Sequence, residues 1–460
     1  MRKLALTLVF CTLALPLAAQ NTDIESLSGL QFNFGNPGAR SLGMGGAFLG
    51  LADDATAAEA NPAGLTILRK PEVSLEVRNY QEQQLFSTSG TFPDIERTAF
   101  AHYSTRAEVT FASIVYPFKH GTIGAYYHEP LRNEGSGQVV PVRNEFTGEI
   151  KKNVPSFFLP NPRGGSYLTK AECESRRKTN PFACTEFTLF PFLSALNIRE
   201  QTLGVAGAWK FGKLSLGATA RYQRFSETAF TFRVTPTFDF SSISVQGTSD
   251  ITSDKDKSKP AHDVTFSGGF KFEATDKFSF GGVYKQGGSF AAPTFAATEE
   301  TDFEYVKVAD TIFHIPDVYG VGVSFRPLPE VTLDFDAVRV SYSNLVDDFV
   351  SVNSDVRALD HPYTAPDVTE LHLGGEYFFN TKVPFAVRAG YWRDPAHSVS
   401  YVGPLTNDAE LATAVLYPKG EDANHISVGA GVAFKHFAVD AAYETSKHYR
   451  VGSVSFILRR

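Results

Sequence analysis

A run of short alternating segments, joined by connections that are short and long in turn, constrains this chain most. From Pro71 onward 14 such segments fall at about 72–80, 108–117, 122–130, 200–211, 213–228, 263–273, 277–286, 317–327, 331–341, 368–379, 385–393, 425–435, 437–445 and 450–459. Each is near the roughly 9–11 residues that carry a tilted strand across a bilayer. In 263–273 Val264, Phe266, Phe270 and Phe272 share one parity, and Thr265, Ser267, Lys271 and Glu273 the other. In 425–435 Ile426, Val428, Ala430, Val432 and Phe434 lie opposite Ser427, Gly429, Gly431 and Ala433. A period of two means two faces of different chemistry. Segment 108–117 is apolar on either parity. Short connections fall at Lys119-His120-Gly121, Gly212-Lys213, Ala274-Thr275-Asp276, Pro327-Leu328-Pro329-Glu330, Asn380-Thr381-Lys382 and Lys435-His436. The connections between them, about 81–107, 131–199, 229–262, 287–316, 342–367 and 394–424, are long. A soluble sandwich has no reason to lengthen every second connection. A transmembrane barrel does, with short turns on one side, longer outer loops and an even strand count. The pattern predicts an all-β chain: a 14-stranded antiparallel transmembrane β-barrel.

Aromatic placement points the same way. The chain has 40 Phe and 18 Tyr against 2 Trp and 2 Met. Phe118, Phe211, Phe272, Phe278, Phe325, Phe378, Phe379, Phe385, Phe434 and Phe437 gather beside the short turns. A girdle at one membrane interface collects aromatics in this way. Residues 1–19 carry Arg2 and Lys3, an apolar stretch from Leu4 to Leu17, and Leu17-Ala18-Ala19. That is the grammar of a secretory signal, with an apolar run too short to span a bilayer. The net charge of −7 gives no support to nucleic-acid binding. Cys173 and Cys184 remain after the signal, and a disulfide is the default reading for such a pair in an exported chain.

Residues 20–70 have a different composition. The run Gly38-Ala39-Arg40-Ser41-Leu42-Gly43-Met44-Gly45-Gly46-Ala47-Phe48 has too little bulk for a core of its own. Asp53-Asp54 reads as a short helix start and Asn61-Pro62-Ala63-Gly64 as a turn, with Pro62 fixing its own φ. A small-residue segment ahead of a barrel suits a plug folded inside it, and the wall then begins at residue 71. The run 38–48, then Ala52-Asp53-Asp54-Ala55-Thr56-Ala57, then Asn61-Pro62-Ala63-Gly64-Leu65 resembles the hatch of the FadL/TodX family of outer-membrane transporters for hydrophobic compounds. The family's Asn-Pro-Ala motif matches Asn61, Pro62 and Ala63. The resemblance implies a hatch-plugged barrel in the outer membrane of a Gram-negative bacterium. It implies passive uptake of fatty acids or hydrocarbons, with capture at the outer loops, a pocket in the lumen, and sideways release beside a kinked third strand. In 122–130 Gly124 is the candidate weak point, because a glycine inside a strand often marks a bend.

The inward parity places Arg221, Lys271, Lys285, Asp334, Asp336, Glu370, His372, Glu376, Arg388 and Asp440 in the lumen. Two readings stand: a salt-bridged interior that holds the plug, or a basic residue that binds a ligand carboxylate. For the second, Arg221 and Arg388 are the candidates, since a guanidinium can pair both carboxylate oxygens. In the 131–199 connection, Phe157, Phe158, Phe190 and Phe192 are too apolar for a solvated loop; they either pack on the barrel rim or form a first docking groove. No nucleophile elbow, zinc spacing or phosphate loop is present, so no enzyme activity, metal or other cofactor is expected. The expected partners are hydrophobic small molecules and membrane lipid, and the expected state is a monomer. The alternative is a non-transporting barrel of PorV type, which shares the architecture and acts as a partner in protein secretion.

Overall fold

The computed structural model describes residues 32–85, 101–139, 156–160, 170–188, 192–239, 242–252, 261–297, 306–347, 362–404, 419–447 and 449–460. The expected signal at 1–19 and the start of the hatch at 20–31 lie outside the described residues.

Fourteen strands form one wall. They are β1 (Glu72–Leu85), β2 (Ala101–Phe118), β3 (Gly121–Val139), β4 (Phe192–Phe211), β5 (Leu214–Asp239), β6 (Ala261–Glu273) and β7 (Phe278–Lys285). The second half is β8 (Val318–Leu328), β9 (Val331–Val340), β10 (Val368–Phe379), β11 (Phe385–Asp394), β12 (Ala423–Ala433), β13 (Phe437–Thr445) and β14 (Tyr449–Arg459). Each pairs antiparallel with the next. β14 then returns to β1, with Glu72 opposite Arg459 and Glu82 opposite Tyr449. Closure removes the sheet edge across the part of the wall where every neighbouring pair is laddered, so the main chain there needs no water to satisfy it. Among the described residues no helix is long and apolar enough to cross a membrane.

The wall is apolar outside and polar inside. Val264 and Phe266 are 55% and 58% exposed, whereas Thr265 and Ser267 between and beside them are buried at 0% and 3%. The same inversion holds in β12, where Ile426 and Val428 face out and His425 and Ser427 are buried. At the short-turn end the exposed rings meet in cross-strand pairs. Phe278 stacks on Phe325 at 4.5 Å, Phe379 on Phe385 at 4.4 Å and Phe434 on Phe437 at 4.5 Å. The double parity of 108–117 has a structural cause. Glu76 lies opposite Phe111 and Val77 opposite Val109, so Thr110 is an extra residue in β2. A bulge of one residue exchanges the faces of the strand beyond it.

The expected connections are partly strand. β4 and β5 have 20 and 26 residues, well beyond the membrane-crossing length. Residues 242–252, within the expected long connection 229–262, extend the β5 hairpin, with Ala229 opposite Thr252; residues 253–260 lie outside the described residues. Within 287–316, Ser289–Ala297 pairs with Val306–His314. The alternation that makes a strand does not stop where the bilayer does, and water tolerates an extended hairpin.

The described part of the hatch, from Phe32 to Lys70, fills the bore. It forms helices α1 (Ala39–Gly43) and α2 (Ala57–Ala60) and a 3-10 turn over Pro62–Ile67. Asp54 leads into α2 by accepting from the Thr56 amide at 2.8 Å. In a wall of this kind, Val428→Arg should reduce the stability of the protein folded in lipid bilayers by about 2–4 kcal/mol. Urea titration in liposomes checks this, and a change within error of zero would mean that Val428 does not face lipid.

Candidate functional site

The lumen is built in two layers, a locked plug toward the short turns and, above it, a chamber filled by packed apolar side chains. The lock begins with small residues. The hatch backbone lies directly against glycines of inward parity: Gly217 in β5, Gly281 in β7, Gly374 in β10, Gly390 in β11 and Gly429 in β12. Gly45 requires glycine twice, since its φ is +65° and an added Cβ would sit 2.7 Å from the Tyr391 amide nitrogen. These wall glycines escaped the sequence reading. Their signal was there, as glycines on the lumen parity of five strands.

Polar groups complete the lock. Asn61 is fully buried; its side-chain carbonyl accepts from the Ala63 amide at 3.3 Å, and its amide donates to the Leu49 and Phe270 carbonyls at 3.1 and 3.0 Å. Pro62 opens the 3-10 turn at a position where no N–H is needed, and Pro62 and Ala63 lie against Gly217. Asp336 accepts from the Phe48 and Leu49 amides at 2.7 and 2.8 Å. Glu76 accepts from the Gly38 amide at 2.9 Å. Tyr126 donates to Glu59 at 2.5 Å, and Lys285 pairs with Glu59 at 3.1 Å.

The two carboxylate-binding candidates lie among ion pairs of the lumen. Arg388 pairs with Glu376 at 2.6 Å and with Asp440 at 2.7 Å, and Glu376 in turn holds Arg40 of the hatch at 2.9 Å. Arg221 faces Glu59 at 3.9 Å and donates to the Gln286 carbonyl. Both guanidiniums are buried, and each pairs with at least one carboxylate that also contacts the plug or belongs to it, Glu376 for Arg388 and Glu59 for Arg221. Gly124 is likewise an ordinary ladder residue, opposite Val115 on one side and Ala206 on the other. The irregularity in β3 falls further on, between His128 and Leu131. Pro130 lies there and has no N–H to give the ladder.

Above the plug, Leu131, Ile198, Phe225, Phe290, Phe313, Tyr342, Leu345 and Val368 form a buried apolar cluster. Phe225 stacks between Phe290 at 4.9 Å and Phe313 at 4.6 Å. Phe32, the first described hatch residue, meets Phe313 edge-on at 6.1 Å. The Phe32 carbonyl accepts from Tyr342 at 2.5 Å and from His397 Nε2 at 3.1 Å. This chamber is the candidate ligand site. Sequence reasoning missed it because Phe290 and Phe313 lay in an assumed loop. Phe225 was the available signal, a large ring on the same parity as Arg221 and Gln223.

The outer-loop candidates lie elsewhere. Phe157 and Phe158 belong to a two-stranded ribbon, Ser156–Pro160 with Cys184–Thr188, which is a sheet separate from the wall. Phe192 starts β4, and Phe190 lies outside the described residues. Cys173 and Cys184 are bonded, with Cα atoms 5.7 Å apart, and tie helix α3 (Lys170–Arg177) to that ribbon.

His397 sits just past the end of β11. Its Nδ1 faces the Pro395 carbonyl at 2.8 Å and Asp394 at 3.1 Å, and its Nε2 faces the Phe32 carbonyl. Carbonyls only accept, so a doubly protonated ring satisfies both sides. Burial pushes the imidazole pKa down, but the hydrogen bond and charge of Asp394 outweigh it and the net direction is up. A raised pKa places this stabilisation below the ordinary histidine value and removes it as pH rises through the folded value.

Comparison with known proteins shows that the fold recurs. No family model matches the chain, and no curated protein matches it in sequence. A Pseudomonas aeruginosa FadL homologue matches with a TM-score of 0.60 at 15% identity, over 94% of this chain and 100% of that one. The Ralstonia pickettii toluene transporter TbuX matches at 0.54 and 16% identity, over 93% and 99%. The CymD monoaromatic hydrocarbon channel matches at 0.54 and 16%, over 94% and 99%. The chain shares the closed barrel of FadL- and TodX-type channels.

Two expectations follow. Asn61→Ala removes a cap and leaves buried carbonyls without donors, together worth about 2–4 kcal/mol. Hydrogen exchange at 48–50 and 61–67 should accelerate while the wall strands stay protected; unchanged exchange would deny Asn61 this role. Protease access near Phe32 should rise as pH is raised from 6 to 9, and His397→Gln should flatten that profile.

Proposed function

We propose that this chain is a passive channel for small hydrophobic compounds in the outer membrane of a Gram-negative bacterium. The observation that carries the reading is the position of the apolar chamber: aromatic rings packed in the lumen on the long-connection side of the plug. Such a chamber in a polar bore has little structural purpose in a wall already held by its ladders. It suits a ligand that water and the polar outer leaflet both reject. Burying a ring-sized ligand of about 150–250 Å² gains about 4–6 kcal/mol. That corresponds to a dissociation constant between about 1 mM and tens of micromolar, which favours capture and still permits release. The fold likeness to a toluene transporter and a monoaromatic hydrocarbon channel supports monoaromatic compounds as ligands, and the likeness to a FadL homologue supports fatty acids.

On this reading Phe32 occupies the chamber until ligand displaces it, and the plug below prevents open diffusion. Ligand enters past the outer ribbons and leaves sideways near the irregularity in β3. The fold likeness to a hydrocarbon channel and a toluene transporter supports a role without catalysis.

Reconstituted protein should accelerate entry of labelled toluene or oleate into liposomes, and Phe313→Asp should reduce that entry at least tenfold by placing a charge among the rings. Heat-modifiable migration on gels checks that the barrel still closes. Absence of uptake, combined with co-purification of a secretion machine, would replace the channel reading with that of a secretion partner.

A further inference from the structure

The short-turn end of the barrel has a charge of its own. Five of the six short turns carry an exposed lysine: Lys119, Lys213, Lys277, Lys382 and Lys435. Arg69 and Lys70 add two exposed cations where the hatch leads into β1. Against these seven stand Asp276 and Glu330 in the same turns. None of the seven has an ion pair among the described residues. Lys210, Arg326 and Arg459 lie at this end too, but each is paired, with Glu273, Asp53 and Glu72 respectively. The chain holds 50 acidic and 43 basic residues, so a rim of average composition would be slightly negative. This rim is positive.

Each turn lysine lies close in sequence to a ring of the girdle. Lys119 follows Phe118, Lys277 precedes Phe278, Lys435 follows Phe434, and Lys213 and Lys382 stand near Phe211 and Phe379. The rings mark the edge of the hydrocarbon, and an ammonium on a four-carbon stem reaches the head-group level beyond it. A cavity of about 340 Å³ opens on this rim beside the hatch, lined by Lys213, Lys277 and Phe278 on its exposed side. Lys213 donates to the Ala274 carbonyl at 2.7 Å and Lys277 to the Pro327 carbonyl at 3.3 Å. Those partners are neutral, so both charges remain open to an anion. On the buried side Lys271 donates to the Leu51 and Ala52 carbonyls of the hatch. Ser324 lines the same cavity at 2% exposure, and its hydroxyl has no hydrogen-bond partner among the described residues. Of the acids lining it, Glu273 is held by Lys210, and Asp276 has no ion pair among the described residues.

We infer that the short-turn rim binds anionic phospholipid head groups, and that the cavity between Lys213, Lys277 and Ser324 seats one lipid phosphate. The inference goes beyond the channel reading: it needs the barrel to cross a bilayer and is indifferent to what passes through it. In an outer membrane the short turns face the periplasm, where the leaflet is made of phospholipids. A lysine holds a phosphate as a point charge. The Ser324 hydroxyl is a buried group that costs stability until a partner arrives, and a phosphate oxygen supplies one. Phe278 lines the cavity and is 40% exposed on the wall, so a lipid seated there keeps its acyl chains in the bilayer. An anionic surface attracts basic side chains within a Debye length, and each strengthens the contact about fivefold. An acidic protein could meet the rim from the water, but a lipid phosphate already lies at the level of the cavity mouth.

The test places the folded full-length protein in nanodiscs of equal parts phosphatidylcholine and phosphatidylglycerol. Native mass spectrometry then counts the lipids retained after release into mild detergent. The unaltered protein should keep phosphatidylglycerol in preference to phosphatidylcholine, and raised salt should weaken all but the last lipid held. Lys213→Gln combined with Lys277→Gln should remove that last lipid, lowering its affinity about 25-fold at fivefold per residue. Lys382→Gln combined with Lys435→Gln, remote from the cavity, should thin the weaker lipids and spare the tight one. Heat-modifiable migration checks that each variant still closes. Equal retention of the two lipids by the unaltered protein, or phosphatidylglycerol retention that survives both double variants, overturns the inference. Inorganic phosphate titrated onto the protein in pure phosphatidylcholine nanodiscs should bind far more weakly than phosphatidylglycerol; equal affinity would make the cavity a site for a free anion and overturn the lipid assignment. Failure of toluene and oleate uptake would remove the channel reading and leave this one standing, and the reverse holds for failure of lipid retention.

Discussion

A backbone in hydrocarbon must find all its hydrogen-bond partners within the protein, and the rest of this structure follows from that demand. The return of β14 to β1 meets it by abolishing the sheet edge. Once the cylinder is closed, each side chain has only two directions, lipid or lumen. Apolar groups take the first at little cost. Charged groups must take the second, where they need partners. The interior of this barrel is therefore dense with ion pairs for reasons of solvation alone, and most of those pairs were already spoken for when the plug was fitted among them.

That explains why the arginine candidates sit in ion pairs with resident carboxylates. Sequence parity correctly sent Arg221 and Arg388 inward, but parity cannot say what stands opposite. Arg388 lies across from Glu376 on the adjacent strand β10 and near Asp440 on β13, two strands along the wall on the other side. Register, and not composition, made it structural. The chamber shows the converse. Its rings come from β5, the 289–297 and 306–314 ribbon, and the segment around Tyr342, and no local pattern marks them as neighbours.

The fold was far more legible than the site. Period-two alternation, the rhythm of short and long connections and the aromatics beside the short turns are local signals, and they located every wall strand. The errors cluster where physics changes: strands run past the bilayer because water tolerates hairpins, and 108–117 was ambiguous because a bulge exchanges its faces. Asn61, Pro62 and Ala63 were legible as a turn. Their contact with Gly217 and with the Phe270 carbonyl depends on the tertiary fit of plug to wall. The glycines of the lumen parity were visible in the sequence, but their meaning needed the partner surface.

The same glycine-to-glycine fit has a consequence for assembly. The plug precedes β1 in the chain, yet it is gripped by strands from β5 to β12 and sealed in when β14 meets β1. Contacts that close would be hard to thread through a finished ring. The geometry implies a sequence of events in which the N-terminal segment is collected on the curling sheet first and the two terminal strands zip last. A cylinder of this design is then wrapped around its stopper, and any fault in those small residues would surface as a chain that cannot complete its circle.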